Sequence, residues 1–176
     1  LTPVLAYLKI RETGKSSFLL ESVEGSINMA RFSFIAKEPE LLIMNKKENV
    51  TILKQDLKEE LKGNIFEIVR NELKKYKQPV LPDLPDFTGG ITGFIGYENI
   101  SLIEPTVETK AEGFGNYDSI LGLYKTIIAF DHYKHQVILI NNVFINENSD
   151  LVKEYNNAIN NLKRLNKDLQ KNAGLI

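Results

Sequence analysis

The sequence has no cysteine and only two histidines among its 176 residues. Without thiols there is no disulfide, no thiolate metal site and no cysteine nucleophile, and two imidazoles are too few for a histidine-rich metal centre. Neither charge is in excess. The 22 Lys and Arg set against 23 Asp and Glu leave a net −1, so nothing draws the chain to phosphate backbones or anionic membranes, and no nucleic-acid partner is expected. Long apolar runs are also missing. Stretches such as Ile138-Leu139-Ile140 are far short of the roughly 20 residues that span a bilayer. No charged-then-apolar leader opens the chain, which makes a cytoplasmic protein the expectation, and the initial Leu1 in place of Met reads as the start of an excerpt. What is present is ordinary for a globular protein: 43% hydrophobic and 26% charged residues, enough for one domain, or one domain and part of another.

Short apolar runs dominate the first third. Val4-Leu5-Ala6-Tyr7-Leu8 and Phe18-Leu19-Leu20, parted by the polar segment Arg11 to Ser16, read as two strands joined by a turn. Arg31 to Ala36 alternates with period two, as a half-buried strand does. Leu41-Leu42-Ile43-Met44 and Val50-Thr51-Ile52-Leu53, around Asn45 to Asn49, read as a hairpin, with β-branched residues favouring strand in its second arm. The period then changes. Asn64, with Glu67 three positions on, has the form of a capping box, and Ile65, Phe66, Val69, Leu73 and Tyr76 share one helical face that must end before Pro79. Pro79, Pro82 and Pro85 form a stiff surface connector. Gly89 to Glu98 reads as a strand broken by glycines, Ser101 to Tyr117 as a long loop, and Ile120 to Phe130 and Gln136 to Val143 as two long strands. From Ser149 or Asp150 a helix carries Leu151, Tyr155, Ala158, Ile159, Leu162, Leu165 and Leu169 on one face over about five turns. The fold class is α+β, mainly antiparallel sheets packed with two long helices.

Few of these residues form a pattern with chemistry of its own. The glycine run Thr88 to Glu98 lacks both the Lys-Ser/Thr ending and the G-x-G-x-x-G spacing of a phosphate loop. It reads instead as room for another backbone or side chain to come close within a sheet. Glu21-Ser22, following Phe18-Leu19-Leu20, puts a carboxylate and a hydroxyl at a strand end, where they can bind an ammonium group or simply leave a sheet. His132 and His135 flank a turn beside Asp131 without a third local metal ligand, and read as solvated. Lys163, Arg164, Lys167 and Lys171 read as the wet face of the last helix.

Five segments in order go further. Leu1-Thr2-Pro3-Val4 followed by Phe18-Leu19-Leu20-Glu21-Ser22-Val23-Glu24-Gly25 resembles the "TPV…Y" and "FLLES-EG" opening of anthranilate synthase component I. Arg31-Phe32-Ser33-Phe34-Ile35 is similar to that family's "GRYSFIG" strand, with Ala30 and Ala36 in place of its glycines. Leu84 to Glu98 resembles "LPPFTGGAVGYFGYD", with Glu98 where Asp is usual, and Ile127 to His132 resembles the "VVFDH" strand end.

The resemblance covers essentially the whole chain but only the N-terminal part of that enzyme. It implies that residues 1–176 are an N-terminal domain, inactive alone. The catalytic chorismate-binding domain, with its Mg²⁺ carboxylates, would lie beyond Ile176. No cofactor is then expected here. The full protein would be a lyase that makes anthranilate and pyruvate from chorismate and ammonia, the ammonia supplied by a glutamine amidotransferase subunit, component II, in tryptophan biosynthesis. The resemblance also implies a share in the tryptophan feedback site. Leu20 would pack on the indole, Glu21 would complement the ammonium, Ser22 would hydrogen-bond the polar end, and Arg31 would pair with a carboxylate. The related aminodeoxychorismate synthase component I more often reads "LLDS" at this strand, so Glu21 favours the anthranilate branch. A free-standing amino-acid-binding regulatory module is the reading from another class.

Overall fold

The computed structural model describes residues 1–21, 31–55, 57–104, 106–107 and 116–171. They form two compact units: Leu1–Glu38 with Val80–Gly89 and Lys125–Ile176, and Pro39–Pro79 with Gly90–Tyr124. Both are antiparallel sheets carrying helices, which is the α+β class expected. Among the described residues no helix is long and apolar enough to cross a membrane.

The first unit begins with a correction. Val4 to Leu8 is not a strand but lies within helix α1, Pro3–Ile10. Thr2 caps it, its hydroxyl accepting from the Leu5 N–H at 3.2 Å, and Pro3 occupies the first helical position, where its fixed φ suits the turn. Pro3, Ala6 and Ile10, three and four apart, are the buried residues. The strands β1 (Ser17–Leu20), β2 (Phe32–Lys37), β8 (Thr126–Asp131) and β9 (Gln136–Asn141) form a four-stranded sheet in the order β1-β2-β8-β9. Ile35, Ile128 and Phe130 point from one face into a core with Ala6, Ile10, Leu165 and Leu169. The last two belong to helix α3, Leu151–Gln170, which is capped by Asp150 through the Lys153 N–H at 3.0 Å. Its apolar stripe is only partly covered: Ala158, Leu165 and Leu169 are buried, while Leu151 and Tyr155 are exposed. Lys163, Arg164, Lys167 and Lys171 lie on the exposed side. Near its C-terminus Lys9 donates to the Leu169 carbonyl at 2.7 Å, a cation placed where helix carbonyls run out of partners.

The second unit is a five-stranded sheet, ordered β5-β4-β3-β7-β6. Strands β3 (Leu41–Lys46) and β4 (Asn49–Lys54) make the expected hairpin, with Lys47 taking the left-handed conformation in its turn at φ 53°. Strand β5 (Leu57–Lys62) was not anticipated. Helix α2, Ile65–Leu73, starts where expected, with Asn64 accepting from the Phe66 N–H at 2.9 Å. The expected single strand from Ile120 to Phe130 is two strands. Ser119–Tyr124 is β7 of this sheet, and β8 after Lys125 belongs to the other. Strand β6 is Gly90–Ile95, and a 3-10 helix, Tyr97–Leu102, replaces the start of the expected loop. Leu41, Ile43, Val50, Ile65, Leu121 and Leu123 make the core. The glycines of β6 serve close approach: a Cβ on Gly93 would stand 2.0 Å from the Ile120 carbonyl oxygen, and one on Gly96 2.6 Å from that of Asp118.

Candidate functional site at the end of the first strand

Strand β1 ends at Leu20, which faces Phe34 across the antiparallel pairing with β2. Paired residues share a sheet face, and alternate residues of one strand do too. Leu20, Phe34 and Phe32 therefore line one side, with Phe32 and Phe34 ring centroids 5.8 Å apart. Phe87, from the proline-rich connector, meets Phe34 edge to face at 5.3 Å. Leu20 is 47% exposed, and Glu21 after it is exposed as well. Ser22 lies outside the described residues.

Arg31, the residue before β2, is committed to a partner the sequence did not assign to it. Its Nη2 is 2.7 Å from Asp131 Oδ2, and its Nε is 3.2 Å from both carboxylate oxygens. Asp131 ends β8 and is only 2% exposed. Its Oδ1 also accepts from the N–H groups of Tyr133 and Lys134, at 3.1 and 3.0 Å, which shapes the turn into β9. Bonding to Arg31 is the chief reason the Asp131 carboxyl is held down to about 2; burial opposes it, and the two turn N–H groups assist. Hydrogen bonds to the charged form have that effect.

A pH dependence follows. An acid with a depressed native pKa contributes stability that is complete above its ordinary value, here 3.8, and that is lost as pH falls through about 2. The unmutated chain should therefore lose on the order of 2 kcal/mol between pH 4 and pH 2 relative to Asp131→Asn. Denaturant unfolding of both forms across that range measures it, and parallel acid profiles would refute the assignment.

The histidine pair divides. His135 is exposed at φ 53°. His132 is exposed too, but its backbone N–H donates to the Arg31 carbonyl at 2.8 Å, and its Nε2 shares a hydrogen bond of 2.8 Å with Ser33 Oγ. Ser33 is wholly buried, which keeps any substrate from this Ser-His pair. Among the described residues no group of three His, Cys, Asp or Glu side chains is placed to hold a metal ion. The sheet thus gathers, at one end of β1 and β2, an exposed leucine and carboxylate, a clamped guanidinium and an aromatic wall. Asp131 and Phe87 are the members the sequence reading missed. The "FDH" strand end and the "PDF" connector carried them without showing which residues they would meet.

The chain is thus an α+β protein built of two antiparallel sheets, with an exposed, amphipathic strand end as its candidate site. No protein-family model matches it. It is 31% identical over 170 residues to anthranilate synthase component 1 of Acetivibrio thermocellus, covering 96% of this chain and 34% of that protein. It is 30% identical over 171 residues to the probable anthranilate synthase component 1 of Schizosaccharomyces pombe, covering 97% and 32%. In fold it matches the crystal structure of anthranilate synthase component I from Streptococcus pneumoniae, with a TM-score of 0.63, 24% identity, and coverage of 97% of this chain and 35% of that one. The chain is a relative, along its whole length, of anthranilate synthase component 1, and it spans about a third of the curated relatives it matches.

Proposed function

We propose that the chain is the N-terminal, regulatory part of an anthranilate synthase component I. The observation that carries this is the end-to-end match to proteins of that name, of which the chain spans only about a third. On this reading residues 1–176 form one functional region and turn over no chorismate alone. The remaining portion would supply the chorismate-binding domain and the Mg²⁺ carboxylates. The intact cytoplasmic lyase would take ammonia from a glutamine amidotransferase, component II, and form anthranilate and pyruvate. Tryptophan would be its inhibitor. The relatives carry the anthranilate name, so the aminodeoxychorismate branch has no observation in its favour.

The feedback site is assigned to Leu20, Glu21, Ser22 and Arg31. The exposed Leu20 next to the Phe32 and Phe34 rings suits an indole, Glu21 suits an ammonium group, and Arg31 suits a carboxylate. Ser22→Phe tests the assignment in the intact enzyme. A hydrogen bond to a charged group contributes about 1.5–3 kcal/mol, so its loss should raise the half-inhibiting tryptophan concentration roughly 10- to 150-fold. Each enzyme is compared with its own uninhibited rate at matched chorismate saturation. An unchanged inhibition curve would remove the strand end from the effector site.

A further inference from the structure

A guanidinium has two edges able to grip a carboxylate, one formed by Nε with Nη2 and the other by Nη1 with Nη2. In Arg31 the first is taken by Asp131, through Nε at 3.2 Å and Nη2 at 2.7 Å. Among the described residues no hydrogen bond reaches Nη1, and the side chain is 41% exposed. The inner edge is fixed on every side. Asp131 is itself pinned by the Tyr133 and Lys134 N–H groups. The guanidinium carbon lies 4.7 Å from the Phe32 ring centroid and 5.9 Å from that of Tyr133. The Arg31 carbonyl is held by the His132 N–H. A long, flexible side chain is thereby held by its neighbours before any ligand arrives, which lowers the ordering entropy charged to binding.

We propose that Asp131 is a positioning residue that presents the outer, Nη1–Nη2 edge of Arg31 to the carboxylate of an aromatic α-amino acid bound beside Leu20 and Glu21. This rests on the effector reading above and extends it to a residue 100 positions away in the chain. Because Asp131 neutralises Arg31 over long range, the outer edge acts by directed hydrogen bonds and not by general attraction for anions. Selectivity for a free carboxylate is its signature.

Titration calorimetry of the intact protein carrying this chain tests the idea, with L-tryptophan and L-tryptophanamide as probes. Asp131→Asn keeps the side-chain shape and an oxygen for the Tyr133 and Lys134 N–H groups, but loosens the guanidinium. Affinity for L-tryptophan should fall about 10-fold, the worth of one charge-assisted hydrogen bond, while affinity for the amide, which lacks the carboxylate, stays as it was. Arg31→Lys is the second variant. It keeps a cation against Asp131 but has no second edge, so it should show the same selective loss even if Asp131→Asn folds poorly. Equal losses for both probes would mean that Asp131 is only structural, and an unchanged L-tryptophan affinity in both variants would overturn the proposal directly. If the unmutated protein binds no L-tryptophan, the effector reading itself falls and this inference with it, an outcome distinct from the other two.

Discussion

Gly93→Val should unfold the five-stranded sheet at a much lower denaturant concentration than the unmutated protein, with a loss of about 3 kcal/mol or more. Gly93 lies on β6 opposite Leu121 of β7. A Cβ there would stand 2.0 Å from the Ile120 carbonyl oxygen and 2.9 Å from both the Ile120 carbonyl carbon and the Leu121 Cα. All three are backbone atoms of a strand paired on both sides, so none can step aside as a flexible side chain would. Relief requires β6 to separate from β7, breaking ladder hydrogen bonds and uncovering Leu121 and Leu123. Gly63→Ala is the matched control in the same unit. Its Cβ would meet only Ile68 Cδ1 at an ordinary 3.6 Å, and its effect should stay within about 0.5 kcal/mol. Denaturant midpoints give the comparison, and amide exchange across β7 locates the damage. Matching midpoints for the two variants would sink the close-approach account of the glycine run.

That glycine run was legible because its bland reading needed only local knowledge: glycine within a sheet marks close approach. Helix α2 was legible for a similar reason, its cap and stripe both lying within a dozen residues. The errors share a different cause. Val4 to Leu8 is too short for a run of apolar residues to reveal its period, and the deciding signals, Thr2 and Pro3, stood outside the run. Residues 120 to 130 looked like one strand because β7 and β8 are each flanked by strands on both sides and buried nearly throughout. Such strands lose the alternation that would show a boundary, and the break at Lys125 is a single residue. Strand β5 reads Leu57-Lys58-Glu59-Glu60-Leu61-Lys62 and is mostly exposed. Pairing with β4 makes it a strand, not its own composition.

The candidate site was legible only as far as one strand reaches. Leu20, Glu21, Ser22 and Arg31 entered through short motifs, and the structure adds the exposure of the first two and the engagement of Arg31. Asp131 could not be found this way. Beside two histidines it suggested a turn, and its role appears only when β2 and β8 pair and set Phe32 opposite it. Sequence patterns report periodicity along a chain, whereas an ion pair spanning strands reports topology. The same limit hid a polar cluster in the other unit.

That cluster supports the second large effect, an expected loss on the order of 4 kcal/mol for Asn99→Leu. Asn99 is 2% exposed and sits in the 3-10 helix after β6. Its Nδ2 donates to Ser119 Oγ at 2.8 Å and to the Asp118 and Gly96 carbonyls at 3.1 and 3.2 Å, while its Oδ1 accepts from Asn45 Nδ2 at 2.7 Å. Leucine shares the branched shape but is larger, so crowding adds to a loss that is chiefly one of hydrogen bonds. That loss arises because a buried amide proton of Asn45 loses its acceptor and the Ser119 hydroxyl loses its donor together, at about 1–3 kcal/mol each. The Asp118 and Gly96 carbonyls keep the Gly96 and Asn99 backbone N–H groups. Asn45 cannot compensate, since its own buried Oδ1 already lacks a partner among the described residues. Asn99→Asp separates hydrogen bonding from shape. At neutral pH it turns a carboxylate oxygen toward two carbonyls and a hydroxyl oxygen, and should destabilise at least as much as leucine does. Burial among acceptors raises the pKa of such a carboxyl. The native state of Asn99→Asp then holds a proton that the unfolded state releases near pH 4, so its deficit should grow as pH rises from about 4 to the raised value, level off above it, and shrink again as pH falls back through it. The Asn99→Leu deficit should not change over that range. Stability measured from pH 4 to pH 8 for both variants decides the matter, and a flat Asn99→Asp profile would show that the cluster relaxes around the charge instead of rejecting it.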